Sequence, residues 1–308
     1  MDGLLLIDKP SGPTSHDIAA GLRRDLGRAR TGHFGTLDPL ATGLLIVAVG
    51  HATRLNQFYA GRDKSYRTTA RLGFATDTYD AEGTPTGTPS GSFPSRAAIE
   101  IALDAFRGEI DQVPPPYSAK KYGGTPLYRR ARAGSPVTPL PVRIAVHELR
   151  LTGYEPPELD LEIRCSTGTY IRSLVHDLGA AIGCGAHVAA LRRTAIGEFR
   201  VARALAWPVS SGLAADLGSL AAWIPLAELL PEWMRADLDE AGARAIRDGQ
   251  SVASDRVAAG SGNPDIPASG IEREALVRVF GPDGGLVALA RRSPDSGLLA
   301  PFLVFPAA

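Results

Sequence analysis

An α+β fold is the class this sequence predicts, and three observations lead to it. Short apolar runs bounded by Gly, Pro and Asp recur along the chain, as at Gly3–Ile7 and Leu44–Val49, which is strand patterning. Between such runs lie segments with apolar residues at helical spacing, Ile18, Leu22 and Leu26 among them. Two alternating stretches, Pro141–Leu151 and Leu159–Cys165, are joined around Gly153–Pro157, a link short enough to make them neighbouring strands.

Taken in order, Gly3–Ile7 is a strand that ends in a turn at Asp8-Lys9-Pro10, and a helix begins at Thr14 or Ser15 and stops at Gly27. Arg28–Gly43 shows no sustained period and carries Gly32, Gly35, Pro39 and Gly43, which reads as a loop supplied with polar groups. Leu44–Val49 is a continuous apolar strand, Ser65–Gly73 is a further strand, and a turn-rich acidic stretch runs from Thr76 to Gly91. A second helix spans Ser95–Arg107, with Gly108 as its stop. The segment opened by Pro114-Pro115-Pro116 is broken by Gly and Pro and is expected to be a surface arm. After the strand pair, Gly168 leads into a helix through Ile171, Leu174, Val175 and Leu178. A short helix at His187–Arg193 and a strand at Gly197–Ala204 are expected to complete residues 1–228, the larger domain. Residues 229–308 read as a small β-rich domain with a helix near Ala241–Arg247, strands at Leu276–Phe280 and Leu286–Arg291 around a Pro-Asp-Gly-Gly turn, and a loop at Gly260–Gly270.

Composition narrows the function classes. No apolar run nears the roughly 18–20 residues that span a bilayer, and Met1-Asp2-Gly3-Leu4 lacks a basic leader, so the expected location is the cytoplasm, with no membrane contact. Cys165 and Cys184 are the only cysteines, read as reduced core residues rather than metal ligands. Lys+Arg and Asp+Glu balance at 33 each, which argues against a nucleic-acid binder. The charges are segregated, however. Pro114–Arg150 holds seven basic residues against Glu148 alone, while Gly73–Gln112 holds seven acids against Arg96 and Arg107. One basic face can still steer a polyanion; a solvated loop is the competing reading.

The densest chemistry lies in His33-Phe34-Gly35-Thr36-Leu37-Asp38-Pro39-Leu40-Ala41-Thr42-Gly43. Pro39 keeps Asp38 out of helix, Gly35 and Gly43 allow bends on either side, and the carboxylate is offered from a stiffened loop. An ordinary Asp-Pro turn is the plainer alternative.

This string resembles the signature of the bacterial tRNA pseudouridine-55 synthases (the TruB family), His-x-Gly-Thr-Leu-Asp-Pro-x-Ala-x-Gly, at every fixed position. Further blocks are similar to that family's in order: Gly3–Ser15, Lys64-Ser65-Tyr66, Pro114–Lys121 with Gly123, Tyr128 and Ala131-Arg132, and Cys165–Leu174 followed by Ala186-His187 and Leu191-Arg192-Arg193. The resemblance covers residues 1 to 205 and implies a pseudouridine synthase fold with a largely antiparallel mixed sheet. It also implies isomerisation of uridine 55 in the TΨC arm of tRNA without a cofactor, because the reaction involves no redox change. Asp38 would be the catalytic carboxylate, paired with Arg172; Tyr66 would stack on the uracil, Tyr170 would lie against the nucleotide as a candidate for proton transfer, and Leu191 would pack under the base. His33 would meet the flipped-out bases. Lys9, Lys120, Lys121 and Arg132 would hold phosphates and stem, the last three from an RNA-gripping insertion at about 114–141. The last 80 or so residues resemble PUA-type RNA-binding modules only loosely, and their acidic balance speaks against strong phosphate binding. No protein partner is implied. A guide-dependent H/ACA-type synthase and a tRNA-folding chaperone are the other readings. The first loses ground for want of an extended basic tail, and the second leaves Asp38 without a purpose.

Overall fold

A computed structural model describes the chain except residues 119, 136, 210–212, 254–256, 259–275 and 307–308, and except the side chains of 121, 126, 132, 257 and 258. The loop expected at Gly260–Gly270 lies outside the described residues.

Strand β1 (Gly3–Lys9) leads into helix α1 (Ser15–Asp25). The helix starts where it does because Thr14 and Asp17 form a reciprocal capping box, and it ends ahead of Gly27, whose φ of +64° stops the turn. The stretch read as loop throughout contains a strand: β2 (Thr31–Phe34) pairs antiparallel with β3 (Thr42–Val49), Phe34 opposite Ile46. Four residues are too few to show a period, and β2 owes its place to pairing and to burial of Phe34. Strand β3 is buried on both faces from Gly43 to Val49, which explains its unbroken apolar run.

Next come β4 (Lys64–Leu72), α2 (Arg96–Asp104, capped by Ser95), β5 (Gly108–Gln112), the short helix α3 (Leu127–Arg132), β6 (Val142–Glu155), β7 (Glu158–Cys165) and α4 (Ile171–Ala181). Strands β6 and β7 pair antiparallel as expected. The insertion is more ordered than its Gly and Pro content indicates, since a small hairpin of Lys121–Tyr122 with Thr125–Pro126 precedes α3.

The helix expected at His187–Arg193 is a strand. Residues Ala186–Ile196 form β8, paired antiparallel with β4 and parallel with β3. Its Ala- and Arg-rich sequence favours helix locally, but lodging between two strands satisfies its backbone and buries Val188, Leu191 and Ala195. The strand expected at Gly197–Ala204 shrinks to Phe199–Arg200, followed by a 3-10 turn at Val201–Arg203. Strands β9 (Leu205–Ala206) and β10 (Trp223–Pro225) both pair with β1.

The resulting 11-stranded sheet runs β9-β1-β3-β8-β4-β7-β6-β5, with β2, β10 and Phe199–Arg200 alongside. Among the described residues only the β1–β9 and β3–β8 pairings of this sheet are parallel, so the sheet is mixed and largely antiparallel. A second sheet comprises Val257–Ala258, β11 (Met234–Asp237), β12 (Leu276–Phe280), β13 (Leu286–Arg292) and β14 (Leu299–Val304), with helix α5 (Glu240–Arg247) against it. Trp233, Phe280, Leu303 and Phe305 share one apolar cluster with Leu4–Ile7 and Leu44–Val49. A second cluster lies under α2 and α4, joining Leu103, Leu174 and Leu178 to Tyr66, Leu161 and Ile163. Among the described residues no helix is long and apolar enough to cross a membrane.

Candidate active site

Asp38 sits between β2 and β3 in a loop fastened from three directions. Ser15, the first residue of α1, accepts the Leu37 N–H at 2.9 Å, and its hydroxyl donates to the Leu37 carbonyl at 3.2 Å. Lys9, at the end of β1, donates through Nζ to the carbonyls of Pro10, Pro39 and Ala41 at 2.8, 3.1 and 2.7 Å. Arg193 of β8 donates to the carbonyls of Gly35, Thr36 and Leu44 at 2.8, 3.3 and 2.8 Å. Gly43 is needed where the loop rejoins the sheet: its φ is +97° and a Cβ there would lie 2.2 Å from the Arg193 carbonyl oxygen.

Arg172, in the first turn of α4, is the hub of the site. Its Nη2 lies 2.9 Å from Asp38 Oδ2 and donates to the Tyr117 carbonyl at 2.9 Å; its Nη1 donates to the Thr78 carbonyl at 2.9 Å and meets Asp80 Oδ2 at 3.2 Å. The Arg172 and Asp80 side chains are each 6% exposed, against 43% for Asp38. The guanidinium is thus immobilised from behind, while the carboxylate it holds still faces outward. Asp80 itself is held by Thr78 Oγ1 at 2.6 Å and by the Glu82 N–H at 3.1 Å. Between Thr78 and Asp80, Tyr79 takes a φ of +65°, unusual for a bulky residue. Its ring stacks on His176, centroids 3.7 Å apart, one turn beyond Arg172 on α4.

A cavity of about 280 Å³ opens beside Asp38, lined by Lys64, Tyr66, Ser118, Tyr170, Leu191 and Arg193 among others. Burial pushes the Tyr66 phenol up to about 12 and raises that of Tyr170 as well, so both remain protonated at neutral pH. Arg193 hydrogen-bonds Tyr66. Gln112 holds the Tyr170 backbone from both sides, accepting its N–H at 2.8 Å and donating to its carbonyl at 3.0 Å. Lys64 donates to the carbonyls of Ala60 and Arg62 at 2.9 and 2.7 Å, and burial brings its ammonium down to about 8. A larger groove of about 760 Å³ touches this cavity at Leu191, but its charges already have partners: Arg67 pairs with Glu162, Arg192 with Asp8 beyond the lining, and Asp160 accepts from the Thr69 hydroxyl.

Asp38, Tyr66, Tyr170, Arg172 and Leu191 therefore converge on one cavity. Lys9 does not fit the place at a phosphate expected for it. It is fully buried, its three protons are spent on carbonyls, and it serves to tie the Asp38 loop. Burial lowers its ammonium to about 8, against the upward pull of nearby Asp38. His33 pairs within β2 opposite Val47 and is not among the lining residues; its Nδ1 is buried without a partner, and burial lowers its imidazole. Lys120 is partly exposed at the root of the insertion, and its carbonyl accepts from Leu127 at 2.8 Å. The side chains of Lys121 and Arg132 lie outside the described residues. Sequence reasoning did not single out Asp80, whose signal was only membership of an acidic turn, nor Lys64, Arg193 and Ser118, which appear within motif blocks without a role.

A largely antiparallel mixed sheet thus sets one aspartate, held by a buried arginine, over a cavity with two tyrosines. Comparison with known proteins gives the class, that of the pseudouridine synthases. Residues 23–171 match the family model "TruB family pseudouridylate synthase (N terminal domain)" and residues 172–208 match "tRNA pseudouridylate synthase B C-terminal domain". A relative from Azoarcus sp. (strain BH72), named tRNA pseudouridine synthase B, is 45% identical over 258 residues, 81% of this chain and 86% of the relative. Another of that name, from Thermobifida fusca (strain YX), is 40% identical across 99% of this chain and 98% of its own. Among solved structures, one described as "Structure of H/ACA RNP bound to a substrate RNA containing 2'-deoxyuridine" shares the fold with a TM-score of 0.71 at 24% identity, covering 99% of this chain and 85% of that one. The chain belongs to the TruB family of pseudouridylate synthases and is an enzyme of that kind.

Proposed function

We propose that this enzyme converts uridine 55 in the TΨC arm of tRNA to pseudouridine, with Asp38 as the catalytic carboxylate. The observation that carries the reading is the outward-facing Asp38 carboxylate held at 2.9 Å by Arg172 at the mouth of the cavity. In the reaction the N1–C1′ bond breaks, the uracil turns, and a C5–C1′ bond forms; C5 gives up a proton and N1 gains one. A carboxylate at C1′ can add to the sugar or balance positive charge there. Tyr66 would stack on the uracil, Leu191 would lie under it, and the protonated Tyr170 phenol would stand against the nucleotide as a hydrogen-bond donor. The uridine would be flipped from the T loop to reach the cavity, with His33 at the vacated stack and Lys120, Lys121 and Arg132 of the insertion on phosphates. Residues 1–228 form the catalytic domain in this reading, and 229–308 a PUA-like appendage.

The test is pseudouridine mapping on an unmodified tRNA transcript incubated with wild type and with Asp38→Ala. Conversion at uridine 55 by wild type is expected. Asp38→Ala should abolish turnover and leave tRNA affinity within about threefold, because the carboxylate acts on the sugar and not on a phosphate. Conversion at another uridine would discard the target. Tight binding with no conversion at all would favour a tRNA-folding chaperone.

A further inference from the structure

Gln112 ends β5, the edge strand of the large sheet from which the insertion departs. It is the one buried residue of that strand, 3% exposed, and a polar side chain sealed in this way needs partners for its amide. Both ends of the amide go to a single residue. Oε1 accepts the Tyr170 N–H at 2.8 Å, and Nε2 donates to the Tyr170 carbonyl at 3.0 Å. The same carbonyl accepts the Leu174 N–H at 3.1 Å, which makes Tyr170 the N-cap of α4. That cap makes no side-chain hydrogen bond of its own. The clamp has a firm base, since the Gln112 backbone pairs opposite Val142 of β6. Two contacts follow in register: the Val113 carbonyl accepts from Ser173 Oγ at 2.8 Å, and the Tyr117 carbonyl accepts from Arg172 at 2.9 Å. Of the three residues on the β5 side, only Gln112 contributes a side chain.

We infer that Gln112 is a positioning residue for the isomerisation: by clamping the Tyr170 peptide it sets where the phenol stands in the cavity beside Asp38. This rests on the reading that the Tyr170 phenol stands against the nucleotide. A glutamine amide presents a donor and an acceptor side by side, and here it meets a backbone N–H and C=O as a neighbouring strand would. Arg172 has four holds of its own, whereas outside its own helix the Tyr170 peptide is held by Gln112. Loss of the clamp therefore falls on the phenol. A misplacement of about 1 Å at a reacting group can cost roughly 100-fold in rate without touching the contacts that bind the rest of the tRNA.

The experiment measures single-turnover conversion of an unmodified tRNA transcript, with tRNA affinity alongside. It compares wild type with Gln112→Met and Gln112→Asn, each alone and combined with Tyr170→Phe. Methionine keeps the length of the side chain and gives up the amide; asparagine keeps the amide and falls one methylene short, so if one variant fails to fold the other still reports. Both should lower the rate about tenfold and leave affinity within about threefold. Tyr170→Phe should itself be slow, and on that background the same substitutions should cost less than about twofold, because the hydroxyl they misplace is gone. Wild-type rates in a folded Gln112 variant would overturn the inference while leaving the proposed function standing. So would a tenfold loss that persists undiminished on the phenylalanine background, which would make Gln112 a general brace of α4. Tyr170→Phe turning over as fast as wild type would remove the phenol from the reaction, and the role of Gln112 with it, while Asp38 kept its own. No conversion by wild type would overturn both readings at once.

Discussion

Arg172 makes four contacts from two nitrogens, to Asp38, Asp80 and the carbonyls of Thr78 and Tyr117. Only a planar, forked cation can do this, and an ammonium on a flexible stem cannot span the same set. Arg172→Lys is therefore expected to cost about 100-fold or more in kcat by letting Asp38 swing, while tRNA affinity stays near wild type; single-turnover kinetics beside filter binding would check the split. Lys64 makes a different prediction. Its folded pKa of about 8 lies below the usual 10.5, so folding carries a penalty while both states are protonated, below about pH 8. Above that pH the folded lysine releases its proton first and the penalty lifts. The Cys165 thiol, pushed up to about 12 by burial, acts in the opposite sense as pH rises, so the lysine's share must be read as a difference. Between pH 7.5 and 9.5, wild type should gain thermal stability relative to Lys64→Met, and parallel curves for the two proteins would refute the assignment. At this scale the residues of the contiguous Asp38 motif were the legible ones. Asp80 was not, because nothing in an acidic turn shows that one carboxylate reaches back to a helix, and Lys9 was misread because a string of letters does not reveal burial.

Elements were legible where their own residues dominate their energetics. Helix α1 was bounded correctly because its cap and its apolar stripe are local. Strand β8 was not, because its Ala- and Arg-rich composition describes a helix while its neighbours β3 and β4 make it a strand. Strand β2 escaped notice for the same reason: its partner, not its pattern, makes it. The insertion yields the prediction at this scale. If it grips phosphates, replacing Lys120 and Lys121 with Ala should weaken tRNA binding and flatten the dependence of log Kd on log salt by about 0.7–0.9 for each phosphate no longer neutralised. An unchanged slope would remove these lysines from the RNA interface.

The two sheets are joined by more than apolar packing. Arg62, ahead of β4, pairs with Glu232 ahead of β11, and both side chains are nearly sealed from solvent at 2% and 3% exposed. Arg62 also meets Glu198 at 3.3 Å and lies over the Tyr59 ring, whose hydroxyl accepts the Leu230 N–H at 3.0 Å. Removing one member of a buried pair strands the other, so Glu232→Ala should destabilise the protein by about 3–5 kcal/mol. Denaturant unfolding followed by tryptophan fluorescence would report it through the adjacent Trp233, and a loss below about 1 kcal/mol would show that water or Glu198 replaces the missing partner.

The position of β8 has a further consequence, and it concerns synthesis. Strand β8 lies between β3 and β4 yet is made after both, at residues 186–196. Until those residues leave the ribosome, β4 has one edge with nothing to pair with and the Thr42–Gly43 end of β3 lacks its neighbour, β2 covering β3 from Ile46 to Val49. Asp38 belongs to the β3 side, Tyr66 and Arg172 to the β4 side. No centre can assemble before β8 stitches them, and exposed edges of this kind invite association with other chains. The interval between emergence of β4 and emergence of Ile196 is when that unpaired edge stands open to other chains.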